Sequence, residues 1–262
     1  TNSLALLSDA AHMFTDVTAL AISLAAVRIG RRAADDQRSY GYQRFEILAA
    51  AFNAVLLFGV AAYILFEAWQ RFRSPPAIES GGMLVIAIIG LIINLISMRL
   101  LSAGKDESLN VKGAYLEVWS DLLGSAGVIV AALIIRFTGW SWVDPVVAVG
   151  IGLWVLPRTW TLLKASTHIL LEGTPRDVDM AKLRATIEAQ PGVKGIHDLH
   201  VWTLTSTRNV LSAHVIIDGT QAPDLLQVLS KTIREQFKIS HTTIQLEDEP
   251  CGDLHAPGAA EG

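Results

Sequence analysis

The sequence predicts an α-helical membrane bundle of five spans followed by a small α+β domain. Three observations lead there. Five stretches are long and apolar enough to cross a bilayer, which takes about 20 mostly apolar residues: Leu4–Ile29, Phe45–Phe72, Met83–Leu101, Val111–Phe137 and Val143–Leu163. Hydrophobic residues make up 51% of the 262 positions and charged residues only 18%, against about 25% in soluble domains. From about Glu172 the pattern changes to short alternating and amphipathic segments.

The breaks between spans carry turn chemistry or charge: RRAADDQRSYGYQR, SPPAIESGG, SAGKDESLN and TGWSW. Basic residues orient such a bundle, because short loops rich in Lys and Arg stay in the cytoplasm. The first connection has Arg28, Arg31, Arg32, Arg38 and Arg44, and the third has Arg99, Lys105 and Lys112. The second has Arg71 and Arg73, and the fourth only Arg136. The first and third connections and everything after the last span are therefore expected in the cytoplasm, and the first span runs from outside to inside. Residues 1–165 form the transmembrane domain on this reading.

Residues 172–250 are expected to form the second domain. Asp177 suits the N-cap of a helix through Gln190, which Pro191-Gly192 ends. Ile196–Leu204 and Val210–Asp218 alternate as strands, with Thr205–Asn209 as the turn between them. Ala222–Phe237 places Leu225, Leu226, Leu229 and Ile233 on one side of a second helix, and Thr242–Glu247 is a third strand. The order αββαβ implies a sheet covered on one face by two helices. Residues 251–262 are rich in Gly, Ala and Pro and are expected to be a disordered tail.

Composition also excludes several classes. A net charge of −4 gives no reason to expect nucleic acid as a partner. The single cysteine, Cys251, allows neither an intramolecular disulfide framework nor a CxxC zinc module. Nothing basic precedes the first apolar run, so no cleavable signal peptide is expected. The chain starts at Thr1 rather than at a methionine and enters that run at once, which suggests an N-terminal truncation.

Two polar constellations stand inside the apolar stretches. His12 and Asp16 lie four apart in the first span, and Glu117 and Asp121 do so in the fourth. On a helix, i and i+4 share one face a turn apart. An ionisable group at membrane depth costs at least about 2.5–3.5 kcal/mol and is a functional-site hypothesis by default. An isolated carboxylate there is as readily a helix–helix hydrogen-bonding residue. Four ionisable groups in two such pairs, all of metal-ligating type, point instead to an intramembrane cation site. Asp9 shares part of the His12 face; it could feed the site or sit in a wet vestibule, and the second is expected. Asn53 and Asn94, each lone on a span, suit interhelical hydrogen bonds, and Asp144-Pro145 suits the start of the last helix.

The runs TNSLALLSDAAHMFTD, YGYQRFEILAA, SLNVKGAYLEVWSDLLGS, HDLHVWTLTS, LSAHVII and TIQLE resemble the cation diffusion facilitator family, in particular its zinc/cobalt/cadmium resistance branch. The similarity extends from Thr1 to about Cys251. It implies a homodimeric divalent-metal/proton antiporter in the cell (inner) membrane, with six spans and a cytoplasmic ferredoxin-like domain. It also implies that His12, Asp16, Glu117 and Asp121 are the ligands of a tetrahedral site. Two departures stand out. The family span before the TNSLALLSDA run is missing, which fits truncation. Glu117 stands where histidine is usual, which makes the site harder and more anionic and loosens selectivity for Zn²⁺ against Mn²⁺ or Co²⁺.

The second domain holds His197, His200, His214, His241 and Glu247. Any one of these histidines is ordinarily a satisfied surface residue. Together, at positions where the family builds cytoplasmic sites, they are expected to bind regulatory Zn²⁺, with His200 and His214 facing each other across neighbouring strands. A further family site in the first connection would fall on Asp35, Arg38 and Tyr42, and these residue types predict that it is missing.

The expected function is efflux of a divalent cation, Zn²⁺ first, by proton antiport, from a homodimer embedded in the lipid bilayer; no enzymatic activity is expected. Metal binding requires neutral His and ionised carboxylates, so protons are the natural counter-ion, with His12 as a proton carrier. Two alternatives use the same residues: a non-transporting membrane metal sensor, and a transporter preferring Co²⁺, Cd²⁺ or Mn²⁺. An intramembrane metallo-hydrolase would need an open coordination position and a general base, and the sequence offers no spare acid or base beside the four ligands.

Overall fold

Spans and strands form where apolar length and alternation place them. The computed structural model describes residues 1–74, 76–102, 109–205, 208–218 and 222–249; the tail at 251–262 lies outside them. Among the described residues, five helices are long and apolar enough to cross a membrane: α1 (Leu4–Gly30), α2 (Phe45–Arg73), α3 (Ser80–Ser102), α4 (Leu109–Thr138) and α5 (Val143–Leu170). A small domain follows with α6 (Met180–Glu188), β1 (Val193–Thr205), β2 (Arg208–Ile217), α7 (Ala222–Phe237) and β3 (His241–Glu247). The chain divides into two compact units. One holds Thr1–Leu24 and Ala49–Leu163, and the other holds Ala25–Leu48 and the chain from Lys164 onward.

The first unit is built by close helix approach. Its core sets Ala5, Ala68, Ala87, Ala131, Ala132 and Ala148 among larger residues such as Ile64, Met83 and Val128. Small residues bring backbones together where lipid provides no hydrophobic drive between helices. Outward positions are large and apolar, including Phe14, Leu20, Phe66 and Trp154. An exposed apolar surface of that extent fits hydrocarbon, not water. Trp140 stacks on Trp142 with centroids 5.9 Å apart, and Arg73 lies 4.6 Å over the Trp69 ring. Tryptophans beside helix ends suit a membrane interface.

Helix ends follow local chemistry. Gly139 has φ +72° and its N–H bonds the Ile135 carbonyl at 2.9 Å, a left-handed stop for α4 that glycine adopts freely. Asp144 does more than open α5. It is fully buried, and its carboxylate accepts from Ser3 Oγ (2.5 Å), the Leu4 amide (2.5 Å) and the Ala5 amide (3.1 Å). A side chain of α5 thus satisfies two of the orphan donors of the first turn of α1 and adds favourable charge at that helix's positive end. Arg71 Nη1 stands 3.6 Å from the same carboxylate. The last helix outruns its expected end at Leu163, because a polar residue such as Lys164 ends an apolar run without ending a helix.

In the second unit β1 and β2 pair antiparallel and β2 and β3 parallel, in the order β1-β2-β3. The parallel pair is joined through α7. Leu183 and Ile187 of α6 and Leu225, Leu229 and Ile233 of α7 pack on Leu211, Ala213, Val215 and Ile217 of β2. The expected αββαβ order and one-sided cover are both present. Several boundaries differ from those expected. The N-cap is Asp179, not Asp177: its carboxylate accepts from the Ala181 and Lys182 amides at 3.0 and 3.1 Å. The chain first turns at Val178, whose amide bonds the Pro175 carbonyl and whose side chain enters the core. In addition, β1 and β2 stay paired as far as Thr205 and Arg208, nearer the turn than expected.

Candidate metal centre

Helices α1 and α4 bring the four intramembrane residues together. His12 Nε2 lies 3.6 Å from Asp16 Oδ2 on its own helix and 3.5 Å from Asp121 Oδ1 on the other. An ion held tetrahedrally at about 2.0–2.1 Å keeps its donors about 3.3–3.4 Å apart. Both observed separations are close to that edge length. The same two oxygens, with His12 Nδ1, are buried and have no hydrogen-bond partner among the described residues. Burial in that state ordinarily costs about 1–3 kcal/mol per group, so their convergence suits a ligand with positive charge.

Glu117 completes the set differently. One of its oxygens falls within 4.8 Å of donor atoms of His12 and Asp16. Its carboxylate is also gripped by Arg158 of α5, where Nη1 donates to Oε1 at 2.6 Å and Nη2 donates to Oε2. Beside the cluster, Asp9 is buried, with 6% of its surface exposed. Ser125 Oγ donates to Asp9 Oδ2 at 3.2 Å and itself receives Asn94 Nδ2 at 3.4 Å. Asn94 is therefore the interhelical hydrogen-bonding residue expected of it. Gly124 makes room for Asp9, since a Cβ there would meet Asp9 Oδ1 at 3.0 Å. A cavity of about 200 Å³ connects Asp9, His12 and Asp121 to Trp154.

A second cluster sits on the sheet face opposite the helices. His197 of β1 is the cross-strand partner of His214 of β2, and their rings meet edge-on with centroids 5.1 Å apart. Glu247 of β3 bridges them, with Oε2 2.9 Å from His197 Nε2 and Oε1 2.9 Å from His214 Nδ1. His200 does not face His214. A register shift between His197 and His200 sets His200 against Ser212. Asp198, with φ +50°, occupies that bulge. Its carboxylate reaches His200 Nε2 at 2.7 Å and His214 Nε2 at 3.7 Å. His241 begins β3, six residues before Glu247, about 20 Å along a strand, and contacts Tyr40 edge-on at 5.7 Å. It is not brought to the cluster.

The first connection holds a third polar set. Asp35 Oδ2 accepts from the Tyr42 hydroxyl at 2.6 Å, and Asp35 Oδ1 accepts from the Gln37 and Arg38 amides at 3.0 and 2.8 Å. The Arg38 guanidinium lies 4.8 Å over the Tyr42 ring. The Tyr42 hydrogen bond, helped by those amides, holds the Asp35 carboxyl below its ordinary range. This cluster is closed on itself and organises a turn.

Comparison with known proteins decides the family. Residues 1–171 match the cation efflux transmembrane domain, and residues 175–249 match the cation efflux protein cytoplasmic domain. The chain belongs to the cation efflux, or cation diffusion facilitator, family. Among its relatives, the metal cation efflux system protein CzcD of Cupriavidus metallidurans is 63% identical over 98% of this chain and 82% of its own length. The cadmium, cobalt and zinc/H(+)-K(+) antiporter of Bacillus subtilis is 43% identical over 95% of this chain and 82% of its own. The zinc transporter ZitB of Escherichia coli is 42% identical over 97% and 81%. Members of this family are cation efflux transporters, not enzymes, and the matched C-terminal domain is cytoplasmic.

Two residues of this cation efflux protein escaped sequence reasoning. Arg158 is ionisable and lies within the span Val143–Leu163, so the rule that picked out the carboxylates applies to it as well. Asp198 had no such signal, because strict alternation turns it toward the helices and only the bulge turns it out.

Proposed function

We propose that this chain exports divalent cations, Zn²⁺ first among them, in exchange for protons, as a homodimer in the cell (inner) membrane. Residues 1–165 carry the ion and residues 172–250 form the cytoplasmic domain. His12, Asp16, Glu117 and Asp121 are the transport ligands. The observation that carries this reading is the position of His12 Nε2, 3.5 and 3.6 Å from two buried carboxylate oxygens with no other hydrogen-bond partner among the described residues. Relatives named for cadmium, cobalt and zinc antiport and for zinc transport support the ion class and the counter-ion.

The exchange follows from ligand chemistry. A divalent ion needs neutral imidazole and ionised carboxylates, so arriving protons and the ion compete for the same atoms. Rocking the helices about a fixed mid-membrane site then exposes the ligands to each side in turn. One nitrogen with three carboxylates suits Zn²⁺ while admitting harder ions. In the cytoplasmic domain, His197, His214 and Glu247, with Asp198 and His200 beside them, bind regulatory Zn²⁺ and bias the dimer toward transport.

Metal uptake into sealed proteoliposomes with an imposed pH gradient tests the reading, with Zn²⁺, Cd²⁺, Co²⁺ and Mn²⁺ compared. Zn²⁺ flux that depends on the gradient, and collapses when a protonophore dissipates it, is expected. Metal binding without flux would make the protein a sensor.

A further inference from the structure

Arg158 is a charged group beside the candidate centre to which the transport reading gives no task. Its side chain takes both Glu117 oxygens in a parallel two-bond grip, the fork geometry that makes arginine a specific carboxylate partner. It stands fifteen residues after Val143 and twelve before Leu170 in α5, about 22 and 18 Å along a helix rising 1.5 Å per residue. That is mid-helix, five residues before the expected end of the span at Leu163, and the side chain is 66% exposed. It still lies inside the span and is paired with an intramembrane carboxylate, and intramembrane charges mark ion pathways. Arginine also does not give up its proton. It remains a cation at every stage and changes the charge at Glu117 only by moving. Pro157, immediately before it inside α5, lacks the N–H that would bond the Leu153 carbonyl. The backbone that carries the guanidinium is thus less firmly laddered than regular helix.

We propose that Arg158 is a tethered competitor of the transported ion. It holds Glu117 while the centre is free of metal, leaves Glu117 when a divalent ion binds, and by returning to it speeds release of that ion. The inference rests on the transport reading above. The physical reason is charge: the guanidinium engages both Glu117 oxygens, and a carboxylate held by a fixed cation attracts a divalent ion less than one that the guanidinium has left. Without such a competitor, three carboxylates would bind a divalent ion tightly and surrender it slowly.

The test compares the full chain with Arg158→Gln and Arg158→Lys in proteoliposomes, reading Zn²⁺ affinity by calorimetry and separating KM from kcat in flux. Hydrogen bonds to charged groups are worth enough that Arg158→Gln should lower Kd and KM about ten- to hundredfold. Its kcat should fall, because release slows. Arg158→Lys keeps the charge, loses the fork and should lie between; if Arg158→Gln fails to insert, the lysine variant carries the same comparison. In a Glu117→Gln background, Arg158→Gln should change affinity little, since the pair is already broken. Unchanged Kd and kcat in Arg158→Gln, or a raised KM, would overturn the proposal and make Arg158 a fixed positioning residue for Glu117. Absence of Zn²⁺ binding and flux in the unsubstituted chain would instead overturn the transport reading, and this proposal with it.

Discussion

At the scale of single residues, the centre depends on atoms that are buried for want of a better partner. Asp16 Oδ2 and Asp121 Oδ1 have no other hydrogen-bond partner among the described residues, so removing either carboxylate leaves the remaining charges less compensated and the ion under-coordinated. Even outer-shell partners of metal ligands are worth about 10–100-fold in affinity. Asp16→Ala and Asp121→Ala should therefore each reduce Zn²⁺ flux more than about hundredfold while the protein still inserts, as flux and membrane fractionation will show. Glu117→His restores a second nitrogen and should shift preference toward Zn²⁺ over Mn²⁺, because imidazole suits Zn²⁺ and carboxylate suits the harder ion. An unchanged ratio of the two fluxes would exclude Glu117 from the coordination sphere. The four proposed ligands could be picked out because i,i+4 spacing within an apolar run is a one-dimensional signal. Arg158 was present in the same one-dimensional signal, but its grip on Glu117 depends on how α5 packs against α4.

At the scale of elements, some pairings depend on the fold alone. Asp144 reads as the opening of α5, yet its carboxylate serves the first turn of α1, 139–141 residues away in sequence. Asp198 reads as a core-facing strand position and is turned outward by a bulge. The first connection gives a pH test. Asp35 is held below its ordinary range chiefly by the Tyr42 hydroxyl. A group depressed in the folded state stabilises its turn above its unfolded value and loses that contribution as pH falls through the folded value. The turn should thus hold at neutral pH and loosen only below the ordinary carboxylate range. Tyr42→Phe should return the Asp35 titration toward an ordinary aspartate, followed by NMR of its side-chain carboxyl. A titration unmoved by Tyr42→Phe would contradict the assignment.

At the scale of the whole molecule, two chemistries are set in two compact units. The division itself was legible, since apolar 20-mers and alternating strands obey different periods. Which histidines would meet was not, because a single bulge decides whether His197 or His200 stands opposite His214. If His197, His214 and Glu247 bind Zn²⁺, a fragment over 174–250 should be stabilised by mass action, about 2.7 kcal/mol at a hundredfold excess over Kd. For a domain of that size the melting temperature rises on the order of 10 °C. His214→Ala should remove most of the rise without changing the metal-free melting temperature, and calorimetry at micromolar Zn²⁺ reads both.

The transport centre is tested most directly by zinc X-ray absorption on the full chain with its cytoplasmic cluster disabled by His197→Ala and His214→Ala. One bound ion with four nitrogen and oxygen donors at about 2.0–2.1 Å is expected. That shell should lose its imidazole signature in a further His12→Ala variant. A spectrum with sulfur at about 2.3 Å, or one that His12→Ala leaves unchanged, would contradict a centre built on His12, Asp16, Glu117 and Asp121.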